Sequence, residues 1–118
     1  LLGEKEETRK FYILKRDTGS SIYELNKNFA REFHYPEYHS LEKTIDVKLT
    51  TLNKLILEKV ILSPHVIKLD TQGSELDILK GMKSELSKTI LIETEVEFIP
   101  LYKNQPLFND IDMFLKKK

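Results

Sequence analysis

Apolar positions in this chain recur with two different periods, and the change from one to the other locates the predicted elements. Val66, Ile67 and Leu69 form an almost continuous apolar run, which predicts a strand buried on both faces, and Thr71-Gln72-Gly73 supplies a turn. Leu76, Leu79, Met82 and Leu86 then recur on one helical face, with Ser74 as N-cap and Asp77 three residues later completing a capping-box pattern. A second apolar run, Thr89 to Glu93, follows the helix. Strand, helix, strand is a right-handed unit that makes a parallel pair.

The flanks are read in the same way. Thr8 to Leu14 predicts a strand ending at the Asp17-Thr18-Gly19-Ser20 turn, and Thr44 to Leu49 alternates as a half-exposed strand does. Thr50 or Thr51 caps a helix through about Lys59, with Leu52, Leu55 and Ile56 inward, and Ser63-Pro64 breaks it. Leu107, Ile111, Phe114 and Leu115 predict a last amphipathic helix. Leu1 to Glu7 reads as a solvated lead-in. Residues 26–40 are polar and aromatic without a clean period, a loop with room for one helical turn.

Ligands of open parallel sheets bind outside the carboxyl ends of the strands, so Asp70 and Glu93, each closing a predicted strand, are expected at one crevice. The bland alternative is that each carboxylate only accepts bonds from a nearby helix start, as Asp70 would from the N–H groups of Thr71 to Ser74. Lys68 lies in an otherwise apolar strand and calls for a carboxylate partner, for which Glu93 is the choice. Of Glu93, Glu95 and Glu97, only Glu93 is expected to face the site. Loops leaving strand ends carry specificity, which makes Tyr102, Asn104 and Gln105 substrate-side candidates, with packing under the last helix as the alternative. His34 and His39 straddle Pro36 without a third ligand, so no metal site is expected from them, and His65 is read as a solvated loop histidine.

Composition narrows the function classes. The 118 residues suit one domain, and Lys plus Arg equals Asp plus Glu at 19 each, so no global field favours nucleic acid or an anionic membrane. With no cysteine there is no disulfide framework or thiolate nucleophile, which fits a cytoplasmic enzyme acting on a small molecule. No apolar run reaches the roughly 18 residues that a membrane span needs. The chain opens on Leu rather than Met and stops at Lys116-Lys117-Lys118 without a helix cap, the expectation for a piece of a longer protein.

The run from Ile67 to Gly81, Ile-Lys-Leu-Asp-Thr-Gln-Gly-Ser-Glu-Leu-Asp-Ile-Leu-Lys-Gly, resembles the hallmark of FkbM-type methyltransferases, I-K-[IL]-D-[VT]-[EQ]-G-[AS]-E followed by V/I-L-x-G. Thr18-Gly19-Ser20-Ser21 upstream, Val47 to Leu52 before a helix and Ile92-Glu93 after one fit in order, while Gln72 stands where many members have Glu. The resemblance implies a Rossmann-like α/β fold and S-adenosylmethionine-dependent O-methylation of a hydroxyl on a sugar or polyketide-like acceptor. It places Asp70 and Glu93 in catalysis, Ser20, Ser21 and Asp70 near the cofactor or substrate, with a structural turn role as the alternative for the two serines, and Lys68, Gly73, Ser74 and Glu75 in support. A divalent cation held by Asp70 and Glu93 would be a secondary device. None of the four glycines forms a G-x-G pair, so the chain is expected to cover the later half of the sheet, without the cofactor-binding half, and to be inactive by itself. The rival expectation is a non-catalytic α/β assembly module that keeps the sheet and not the chemistry.

Overall fold

The computed structural model describes residues 1–32 and 40–117. The chain is α/β. Strand β1 (Glu7–Leu14) pairs antiparallel with β2 (Leu41–Leu49), from Glu7 opposite Leu49 to Leu14 opposite Leu41, with an irregular register between Ile13 and Leu14. Helices α1 (Lys27–Glu32) and α2 (Leu52–Leu57) flank β2 in sequence. The predicted strand–helix–strand unit follows as β3 (Val66–Leu69), α3 (Glu75–Gly81) and β4 (Leu91–Thr94), with the two strands parallel. Helix α4 (Phe108–Leu115) closes the chain. Among the described residues the strands form two separate two-stranded sheets. This arrangement of mixed helices and small sheets is consistent with part of a Rossmann-like methyltransferase fold.

One apolar cluster holds the second sheet to its helices. Ile67 and Leu69 of β3 meet Leu76, Ile78 and Leu79 of α3, with Met82, Leu86 and Ile111 around them. Leu79 and Met82 have no exposed surface, so truncating either to alanine would cost about 2–5 kcal/mol. At α2 the predicted cap forms as read: the Thr51 hydroxyl accepts a hydrogen bond from the Lys54 N–H at 3.0 Å.

Several local expectations are overturned. β3 is buried on one face only, because Ile67 and Leu69 point at α3 while Val66 and Lys68 on the opposite face are exposed. Lys68 does pair with Glu93, its register partner, at 2.5 Å. Both side chains are two-thirds exposed, so the pair answers no burial cost and adds little to stability. The helix expected to reach Leu86 ends at Gly81, and Lys83–Lys88 continues as a 3-10 turn. β4 begins two residues later than the apolar run suggests, since Lys83–Lys88 takes up the preceding chain and Thr89 is its C-cap.

The amino-terminal stretch is an ordered strap rather than a solvated lead-in. Leu2 bridges Thr50 in parallel, the Gly3 N–H donates to the Thr50 carbonyl at 2.9 Å, and Gly3 is buried. Charge along residues 4–7 hid this, because the anchoring uses Leu2 and a side-chain-free residue. His34, His39 and their aromatic neighbours fall outside the described residues; His65 is exposed, as read.

Candidate active site

The strand-to-helix turn after β3 is built by a carboxylate that is not Asp70. Glu75 is buried, and its Oε1 accepts from the Thr71 N–H at 2.6 Å and the Thr71 hydroxyl at 3.0 Å. The predicted Ser74–Asp77 capping box does not form, because each partner is engaged elsewhere. Ser74 remains the N-cap residue, but its hydroxyl lies 2.9 Å from Thr71 Oγ1 and 3.3 Å from the Thr71 carbonyl. Asp77 Oδ2 accepts instead from the Tyr23 hydroxyl at 2.8 Å and from Arg9 Nη1 at 3.4 Å, tying α3 to the first hairpin. Burial, then the hydrogen bond and charge of Asp77, push Tyr23 up to about 12 against the opposing pull of Arg9, so the phenol stays a donor.

Gly73 has φ +98, the left-handed region that glycine enters without a Cβ penalty, and a side chain there would press on Tyr102 and Gln105. With the turn amide of Thr71 taken by Glu75, the exposed Asp70 carboxylate receives a side-chain bond from Gln72 Nε2 at 3.1 Å. It faces a cleft of about 500 Å³. Thr18 and Ser20 line the same cleft, the Ser20 hydroxyl accepting from the Leu14 N–H at 3.1 Å, and Leu2, Phe11, Ile22 and Ile78 supply apolar surface. Asp70 and Ser20 thus line one cleft. Ser21 lies behind it, buried, its hydroxyl donating to the Gln72 carbonyl at 2.6 Å and accepting from the Tyr23 N–H at 3.0 Å.

The parallel register decides which second carboxylate meets Asp70. Leu69 stands opposite Thr94, so the residue after each strand end pairs Asp70 with Glu95, and Glu93 is left one step back on Lys68. Desolvation of its carboxyl, then the hydrogen bond and charge of Asp70, then the charges of Glu97 and Glu75, push Glu95 up to about 7. Glu97 is raised as well, by burial and by Glu75. Counting strand ends through the register, rather than through the apolar run, is the signal that would have found Glu95. Among the described residues no group of three or more His, Asp or Glu is arranged to hold a metal ion.

On the loop after β4, Tyr102 and Gln105 are buried and Asn104 is exposed at φ +59. The Tyr102 hydroxyl lies 2.9 Å from the Gly19 carbonyl, and the Tyr102 N–H donates to Gln105 Oε1 at 2.5 Å. These contacts hold the loop against the 3-10 turn Asp17–Gly19 and leave Asn104 as the member of the three that faces outward.

The raised Glu95 carries a pH dependence. A folded carboxyl at about 7, against an ordinary 4.5, binds its proton more tightly than the unfolded chain does. Its contribution to stability is therefore complete below about 4.5 and lost as the pH rises through 7. Glu95→Gln should make the protein more stable than wild type at pH 8 by about 1 kcal/mol, a figure discounted for solvent screening, with the difference vanishing near pH 4.5. Urea denaturation at the two pH values checks this, and equal offsets at both would contradict it.

An α/β unit that ends a parallel strand in an exposed carboxylate above a half-apolar cleft has the layout of an enzyme acting on a bound small molecule. The chain matches the family model described as the methyltransferase FkbM domain over residues 1–118, its whole length, and belongs to that family. Membership supports an S-adenosylmethionine-dependent methyltransferase. No curated protein and no solved structure matches the chain. Among the described residues no helix is long and apolar enough to cross a membrane.

Proposed function

We propose that this chain contributes the acceptor-side part of an S-adenosylmethionine-dependent O-methyltransferase, with Asp70 taking the proton from the acceptor hydroxyl. The observation that carries the reading is the division of labour at the turn. Glu75 takes the structural bonds that an aspartate there would otherwise accept, which leaves Asp70 exposed at the cleft, with the Gln72 amide and the Glu95 carboxyl as its side-chain neighbours.

The cleft also suits the cofactor. Its lining includes a carboxylate and hydroxyl groups beside an apolar wall, with no lysine or arginine, a donor set that favours a cation and an uncharged body over an anion. When bound, S-adenosylmethionine supplies an electrophilic methyl group. The chain's residues do the remaining work: Asp70 accepts the hydroxyl proton as the new C–O bond forms, Ser20 and the apolar wall orient the bound groups, and Ser21 fixes the turn from behind. The turn residues Gly73, Ser74 and Glu75 keep Asp70 in place, and Lys68, held by Glu93, adds a positive charge nearby. Asn104, with Tyr102 and Gln105 as its anchors, faces the acceptor side. The acceptor in this reading is a small hydroxylated molecule or glycan, sugar-like or polyketide-like. Because the chain has no G-x-G pair, the glycine-rich cofactor loop and the earlier half of the sheet are assigned to sequence outside residues 1–118.

The test is transfer of labelled methyl from S-adenosylmethionine by the full-length protein to a panel of monosaccharides and polyols. The expected product is a methyl ether, stable to mild base. No incorporation on any hydroxyl, or only base-labile methyl ester, would overturn the reading.

A further inference from the structure

Gln72 is placed in a way that packing alone does not require. It is not glycine, yet it sits at φ +57, where a side chain other than glycine, asparagine or aspartate is uncommon. Its backbone carbonyl is held by the Ser21 hydroxyl at 2.6 Å. Its side chain then reaches three groups: Nε2 lies 3.1 Å from Asp70 Oδ1 and 3.1 Å from Glu95 Oε2, and Oε1 lies 3.1 Å from the Tyr102 hydroxyl. The chemistry of the partners fixes the amide's orientation. An amide NH₂ has two protons and can serve two carboxylates, whereas its oxygen would repel both and instead shares the single Tyr102 phenol proton with the Gly19 carbonyl, 2.9 Å from that hydroxyl.

We infer that Gln72 is a positioning residue for Asp70: anchored at one end by buried Tyr102, it aims one amide proton at each carboxylate and so sets where the Asp70 oxygens stand in the cleft. The inference rests on the reading of Asp70 as proton acceptor and adds to it the group that orients the acceptor. Neutrality matters at this position. The charges of Glu97 and Glu75 already act on Glu95, and Lys68 is a cation whose charge couples to Asp70. A donor that carries no charge holds the two carboxylates together without adding a further negative charge between them. It also links the loop after β4 to the catalytic turn, since the phenol that steadies Gln72 belongs to that loop.

The measurement is a carbon-13 carboxyl titration of the full-length protein by NMR, in wild type, Gln72→Met and Gln72→Glu. Methionine keeps the length of the side chain and removes both donated bonds, so the Glu95 midpoint should rise by about half to one pH unit and the Asp70 carboxyl resonance should move. Glutamate still accepts from Tyr102 but adds a charge, and should raise the Glu95 midpoint by about one unit or more while moving the acid limb of the rate profile. A merely structural role would leave the acid limb of the rate profile where it is in a folded variant. An unchanged Glu95 midpoint in a variant with native amide dispersion, or an unmoved acid limb in the glutamate variant, overturns the inference, and if the methionine variant fails to fold, the glutamate variant carries the same test. Failure of the underlying reading looks different: Asp70→Asn would then retain its turnover while the Gln72 variants still shift the titration.

Discussion

Asp70→Asn is expected to lower methyl transfer by ~100-fold or more, the scale on which a general base is missed, while folding stability stays within about 1 kcal/mol of wild type. The small structural effect follows from the bonds at the turn. Thr71 gives its N–H and hydroxyl to Glu75, and Asp70 receives a side-chain bond from Gln72 that an asparagine oxygen can equally accept. The large catalytic effect follows from charge, because an amide cannot take the hydroxyl proton. A second readout comes free of activity: with the neighbouring charge gone, Glu95 should titrate below the value of about 7 that it has beside Asp70. Turnover near wild type with normal S-adenosylmethionine affinity would reduce Asp70 to a turn residue.

Gly81→Ala is expected to destabilise the protein by about 3 kcal/mol, although alanine is the better helix former by about 1 kcal/mol. A Cβ at position 81 would stand closer to the Gly3 carbonyl oxygen than real Cβ atoms ever approach a neighbour. The obstruction is backbone, and it cannot step aside cheaply: Gly3 is tied to Thr50 by its N–H, and Thr50 in turn donates to the Leu1 carbonyl at 3.0 Å. Relief would require lifting the strap. Leu1 and Leu2 also line the cleft beside Asp70, so the variant should weaken ligand binding as well as folding. Denaturant unfolding checks the first effect, and a loss below about 0.5 kcal/mol would mean that the strap moves freely.

How far the sequence was legible follows from the range of each interaction. The strand–turn–helix–strand unit, the Thr51 cap and the place of Asp70 were readable because each is written in neighbouring residues. The Lys68–Glu93 pair was readable too, though from a burial argument that the exposed face of β3 does not support. What was not readable depends on residues far apart. Glu95 meets Asp70 through a strand register, Asp77 leaves its own helix cap for Arg9 and Tyr23 in the first hairpin, and Gly3 meets Gly81 across 78 positions. Glu75 is a different case. It is local, but a buried carboxylate folded back on Thr71 resembles an ordinary first-turn acid in sequence, and only its hydrogen bonds tell the two apart.

The most direct test of the site is a titration of the full-length protein with S-adenosylhomocysteine, followed through backbone amide shifts. If methyl transfer takes place over the cleft between the Asp17–Gly19 turn and the end of β3, the amides of Ser20, Ile22, Asp70, Thr71 and Gln72 should move together and saturate with the ligand. Saturation that leaves those five unmoved while others shift would place the chemistry elsewhere and contradict the account.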